Sequence, residues 1–145
     1  MATAEHSFPR YYKLGAGERQ QPGDFKCLTN SQQDIGSSRY DTLETPRGTD
    51  YQVPTGKTFW ITKVIGGTTD GAAGVAGVAI GYGNSGVANS VAAPTNSFVM
   101  AEIDHRFGGE LLVNIDVLIP IPAGNYPWVQ SRNAASNWTI FGMEV

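Results

Sequence analysis

From residue 51 onward, apolar residues recur at every second position. In the stretch LLVNIDVLIPI (111 to 121), Leu111, Val113, Ile115, Val117, Ile119 and Ile121 fall on one face and Leu112, Asn114, Asp116, Leu118 and Pro120 on the other. That is the period of a half-buried β-strand. KTFWITKVI (57 to 65) sets Phe59, Ile61 and Ile65 against Trp60, Thr62 and Val64, and its aromatic and β-branched content suits a pleated surface. VAGVAIGY (75 to 82) gathers Val78, Ile80 and Tyr82 on one face and only Val75, Gly77, Ala79 and Gly81 on the other, a small-residue face that invites close approach by another layer. Further strands are predicted at SFVMAEI (97 to 103), YPWVQSR (126 to 132) and NWTIFGMEV (137 to 145), with a weaker one near SRYDTLE (38 to 44). In the last long strand Trp138 shares a face with Ile140, while Phe141, Met143 and Val145 share the other. A strand apolar on both faces sits between two layers, either within the fold or between subunits.

Seven or eight short strands with turn signals between them, and no amphipathic helix of ten residues, predict an all-β antiparallel sandwich or barrel. A repeated phrase narrows this. YQVPTGKTFWITKV (51 to 64) and LIPIPAGNYPWVQS (118 to 131) both place an aliphatic residue before Pro-x-Gly (Pro54 to Gly56, Pro122 to Gly124), with Trp60 or Trp128 four residues beyond. Proline fixes φ and removes a donor, and glycine permits the positive φ of a turn. A sandwich needs such a corner wherever the chain leaves one sheet for the other. Two equivalent corners suggest a pseudo-symmetric pair of Greek keys, a jelly-roll-like β-sandwich.

The first segment, MATAEHSFPRYYKLGAGERQQPGDFK, follows no period and is interrupted by Pro9, Gly15, Gly17, Pro22 and Gly23. It reads as an extended N-terminal arm (1 to 26) preceding a single domain (27 to 145). Its clustered Phe8, Tyr11, Tyr12 and Leu14 exceed what a solvated linker needs. They either pack on the protein's own body or anchor a neighbouring subunit.

Composition sharpens the contrast between arm and body. Residues 1 to 50 carry six Lys/Arg and seven Asp/Glu, whereas the 95 residues from Tyr51 carry four and six. Soluble proteins run about 25% charged, so the body covers itself with small polar residues or is covered by something else. A net charge of -3 with ten basic residues leaves no electrostatic footprint for nucleic acid or for an anionic membrane surface. No run of ~18 apolar residues suits a membrane span. The single cysteine, Cys27, and an opening without the basic-then-apolar layout of a secretory signal point to synthesis in a reducing cytoplasm.

Candidate chemistry is sparse. GYGNSG (81 to 86) matches the glycine spacing of a dinucleotide site, and Glu102 lies near the distance of a ribose-binding acid. Such a site needs a helix to begin at the third glycine, and VANSVAAPTNS makes a poor one. A glycine-rich strand end is the better reading. His6 and His105 lack partners at metal-ligand spacing; in EIDHR (102 to 106), Glu102, Asp104 and Arg106 share one face, a solvated strand end or a subunit contact. No nucleophile elbow is present, and nothing local lowers the pKa of Cys27. Asp70, Glu102, Asp104, Glu110 and Asp116 could meet in space as a glycosidase pair, which sequence alone does not place. The sequon NWT (137 to 139) reads as an ordinary strand segment. Trp60, Trp128, Trp138, Tyr51, Tyr82 and Tyr126 fall on predicted strands, as a sugar-stacking platform or, more commonly, as core rings.

In VPTGKTFWITKV, IPAGNYPWVQS and the closing WTIFGMEV, residues 51 to 145 resemble small bacteriophage virion structural proteins, above all capsid cement or decoration proteins. The resemblance implies a non-enzymatic virion protein without cofactor or metal. Such a protein binds the outside of a phage head and bridges neighbouring capsid subunits. Its partners would be the major capsid protein and itself, as a homodimer or homotrimer, with Phe8, Tyr11, Tyr12 and Leu14 as arm anchors. The alternative is a tail-associated receptor- or glycan-binding module.

Overall fold

The computed structural model describes residues 3–4, 12–13, 19–20, 24–30, 35–68, 76–105, 112–132 and 134–145. Their regular elements are β1 (Thr3–Ala4), β2 (Tyr12–Lys13), β3 (Arg19–Gln20), β4 (Asp24–Thr29), β5 (Tyr40–Thr42), β6 (Thr58–Thr68), β7 (Ala76–Gly83), β8 (Phe98–His105), β9 (Leu112–Pro122), β10 (Tyr126–Arg132) and β11 (Ser136–Glu144). Strands β4 to β11 form two four-stranded sheets, ordered β4-β11-β6-β9 and β5-β10-β7-β8, and every pairing is antiparallel. The chain crosses from sheet to sheet at every step except β7 to β8, which makes two interlocked Greek keys. This is the jelly-roll sandwich that the strand spacing predicts.

The backbone of the N-terminal segment contributes a small ladder in which β2 lies between β1 and β3. Strand β4 begins at Asp24, with Asp24, Phe25 and Lys26 paired to Glu144, Met143 and Gly142.

Both sheets supply the core. Leu28, Phe59, Ile61, Val64, Trp138 and Ile140 meet Val78, Ile80 and Val129, with Ile35, Leu43 and Val53 added from the connections. Each such side chain contributes roughly 1.5–3 kcal/mol by leaving water. On β9 Val113, Ile119 and Ile121 of the predicted face are buried, whereas Ile115 on the same face stays 38% exposed. On β6 the alternation fails. Val64 is buried with Phe59 and Ile61, while Ile65 lies half-buried on the outer side, the reverse of the expected arrangement. The register explains the correction: consecutive Phe141 and Gly142 of β11 face Lys63 and Ile61, so Thr62 is an extra residue. A bulge of this kind flips the faces of everything beyond it.

The two Pro-x-Gly corners lie side by side. In each, the residue after glycine donates to the proline carbonyl (Lys57 to Pro54 at 3.1 Å, Asn125 to Pro122 at 3.3 Å), and both glycines adopt a φ of 78°. Between the corners, the Val53 N–H donates to the Asn125 carbonyl at 2.9 Å and the Gly124 N–H donates to the Val53 carbonyl at 2.8 Å. The first corner carries the chain from β5 to β6 and the second from β9 to β10. Because β6 pairs with β9 and β5 with β10, the crossings are adjacent antiparallel segments making the same bend.

Candidate interaction surface

The outer side of the β4-β11-β6-β9 sheet carries an apolar row with one residue from each strand. Phe25 faces Met143, Met143 faces Trp60, and Trp60 faces Pro120. Directly opposed residues share a face and touch, and Met143 is only 3% exposed. Phe25 stays 52% exposed and Trp60 half-buried. In the next row Cys27 faces Phe141, and the Phe25 and Phe141 rings stack with centroids 6.1 Å apart. Val145, 60% exposed, extends the patch at the chain's end. Central strand β11 is thus apolar on both sides, as its sequence pattern predicts, and its Trp138 and Ile140 side meets the other four-stranded sheet.

One buried polar pair supports this sheet from within. The Tyr51 hydroxyl donates to Glu144 Oε2 at 2.7 Å, and Lys26 Nζ lies 3.8 Å from the same oxygen. Burial pushes the Tyr51 phenol well above its ordinary range, helped by its bond to the carboxylate and by the charges of Glu144 and Asp24. A second acidic group gathers where residues 41–50 meet residues 86–89. Burial, then repulsion from Asp41 and Asp50, raises Glu44, and burial followed by Asp41 raises Asp50.

The other candidates from the sequence have these places. Phe8, Tyr11 and Leu14 lie outside the described residues; Tyr12 falls in β2, of which only the backbone is described. Cys27 is a half-buried free thiol on the outer sheet face. GYGNSG closes β7 and leads into a connection without helix, the ordinary reading of that motif. Glu102 and Asp104 both reach Arg132 Nη1, at 3.0 and 3.5 Å, across β7, where Gly77 and Ala79 have no bulk to block the bridge. Asp116 pairs instead with Lys63 at 3.1 Å, on the other sheet. Asp70, Arg106 and Glu110 lie outside the described residues. Among the described residues, no three metal-ligating side chains converge. The sequon lies within β11.

The aromatic residues do not share one exposed face. Trp128 and Trp138 are in the interior, Trp138 donating its indole N–H to Ser136 Oγ at 2.7 Å; Tyr51 is buried, and Trp60, Tyr82 and Tyr126 are half-buried on different strands. Trp128 occupies the small-residue side of β7 beside Gly81, edge-on to Tyr40 at 5.2 Å. Phe25 as an exposed apolar residue of the outer sheet face escapes sequence reading, since Asp24 to Lys26 close the segment read as the arm (1 to 26).

Comparisons with family models, curated proteins and solved structures find no match for this chain.

Proposed function

We propose that the chain is a non-enzymatic virion structural protein, a cement or decoration protein that lies on the outer surface of a phage head and bridges neighbouring capsid subunits. What supports this reading is the Phe25, Met143, Trp60 and Pro120 row on the outer side of the β4-β11-β6-β9 sheet. An antiparallel sheet with one face in water normally alternates to polar side chains there. A sheet that carries an apolar row on its outer side gains by laying that row against another protein surface.

The jelly roll is a frequent scaffold of capsid proteins. Fold alone assigns no function; the apolar outer row adds the physical reason for a partner. On a shell, symmetry repeats each weak contact many times, and a tethered arm raises the effective concentration of its body at the site. Phe8, Tyr11, Tyr12 and Leu14 would anchor that arm on the major capsid protein.

Density-gradient fractionation of particles from the producing lysate, probed with antibody against the chain, tests the reading. Comigration with intact heads is expected. Recovery with detached tails would favour a receptor- or glycan-binding module, and absence from every particle fraction would overturn a virion role. Phe25→Ser should release the protein from heads while leaving its fold intact.

A further inference from the structure

The outer face of the β4-β11-β6-β9 sheet has a second feature, at the end away from the Phe25 row. Thr29, Thr139 and Ile65 form one cross-strand row, and Asn137 and Gly67 begin the next. Along β11, Thr139 lies four residues before Met143, roughly 14 Å at the rise of an extended strand. The two features are therefore separate. Between the Thr29 and Asn137 rows lies an open hollow of about 470 Å³, within the ~300–1,000 Å³ range of small-ligand sites.

Its floor follows from Gly66 and Gly67. Gly66 is required by the core, since a Cβ there would collide with the Trp138 ring and the Asn137 carbonyl. Gly67 then leaves no side chain between Asn137 on β11 and Leu112 on β9. Glycine within a strand lowers the sheet surface and lets a ligand approach the backbone. The polar rim is held from beneath. Asn30, only 5% exposed, accepts the Trp138 N–H on Oδ1 at 2.6 Å and donates from Nδ2 to Asn137 Oδ1 at 3.2 Å. A buried amide thereby orients an exposed one, which is the kind of support that a binding site needs. Beside it, the Thr29 and Thr139 hydroxyls sit on directly opposed residues of one face.

We infer that this hollow binds a neutral saccharide. Among the described residues, none of the side chains lining it is charged, so it offers no cation to a phosphate or carboxylate and no carboxylate to an amine. Its polar side chains are hydroxyls and amides. Both groups donate and accept, as the hydroxyls of a sugar do. Ile65 and the bare backbone of Gly67 form an apolar floor, suited to the C–H face of a sugar ring. The hollow is open rather than enclosed, which fits a unit of a chain lying across the sheet and not a buried cofactor. One such contact is weak, with an expected Kd on the order of 1 mM. Repetition on an assembly raises the avidity by roughly 10²–10⁴ without any new contact.

The site does not depend on the virion reading. Its test is titration of the isotope-labelled full-length chain with neutral tetrasaccharides of glucose, galactose, mannose and N-acetylglucosamine, followed by backbone amide shifts. A sulfated tetrasaccharide serves as the charged comparison. Saturable shifts at Gly67, Asn137 and Thr139 are expected with at least one neutral probe. Asn137→Ala and Thr139→Val should each weaken that binding by about threefold to tenfold with circular dichroism unchanged, and Phe25→Ser should leave it as it is. No saturable shift with any neutral probe would overturn the proposal. So would tighter binding of the sulfated probe, shifts confined to the Phe25 and Trp60 row, or an affinity unchanged in both hollow variants. Release from heads by Phe25→Ser reports on the virion reading alone, so the two can fail separately.

Discussion

Val53 and Gly124 are joined through their main chains, the Gly124 N–H donating to the Val53 carbonyl at 2.8 Å. The bond ties together the two corners whose sequences echo each other. It accounts for the echo: paired strands that cross between sheets at the same end make the same turn, with proline halting the ladder and glycine taking the left-handed conformation. A Cβ at either Gly56 or Gly124 would meet nothing within 4 Å, so alanine there costs conformation alone, about 1–2 kcal/mol. Urea denaturation of Gly56→Ala and Gly124→Ala should show comparable losses. Gly81→Ala should cost more, because its Cβ would collide with the Trp128 ring and the Phe98 carbonyl; equal losses at all three positions would contradict this.

Tyr51→Phe leaves the Glu144 carboxylate buried without its 2.7 Å donor. The expected loss is about 1–3 kcal/mol. The phenol is raised in the folded state, so its contribution is complete below the ordinary tyrosine pKa and declines as pH rises through and beyond it. Stability profiles at alkaline pH should therefore fall less steeply for the variant. Parallel profiles would show that Tyr51 titrates normally.

Asp50 and Glu44 are raised, the opposite of the usual carboxylate shift. Folding then favours their protonated forms, and their share of stability grows as pH falls from neutral through the raised values toward the ordinary ones. Asp50→Asn should stabilise the protein at pH 7 by less than about 1 kcal/mol, a small gain because the desolvation of Asp50 is only partial and its side chain stays largely in solvent. Thermal melts at pH 5 and 7 should show the gain shrinking at the lower pH.

Removal of residues 1–23 stops short of β4, which begins at Asp24. The truncated chain should keep its all-β circular dichroism and lose retention on particles. Undiminished binding would exclude Phe8, Tyr11, Tyr12 and Leu14 as anchors. A deletion reaching residue 26 would also remove the Phe25 to Met143 pairing and confuse the two effects.

Strands β5 to β11, the jelly-roll class, the paired corners and the two-sided apolarity of β11 were legible in the sequence, whereas β4 was not, its first residues being read as the end of the arm. The legible features follow from local rules, the two-residue period of a pleated chain and the φ preferences of proline and glycine. The exchange of Val64 and Ile65 between faces was not legible, because the extra residue at Thr62 is defined by its neighbours' register rather than by its own identity. Nor was the Glu102 and Asp104 bridge to Arg132, which depends on β7 lying between β8 and β10 with small residues there. The edge position of β8 belongs to the same class. SFVMAEI reads as one more strand, and only strand order makes it an edge. Which strands end a sheet is settled by long-range pairing, and exposure follows from that pairing rather than from local pattern.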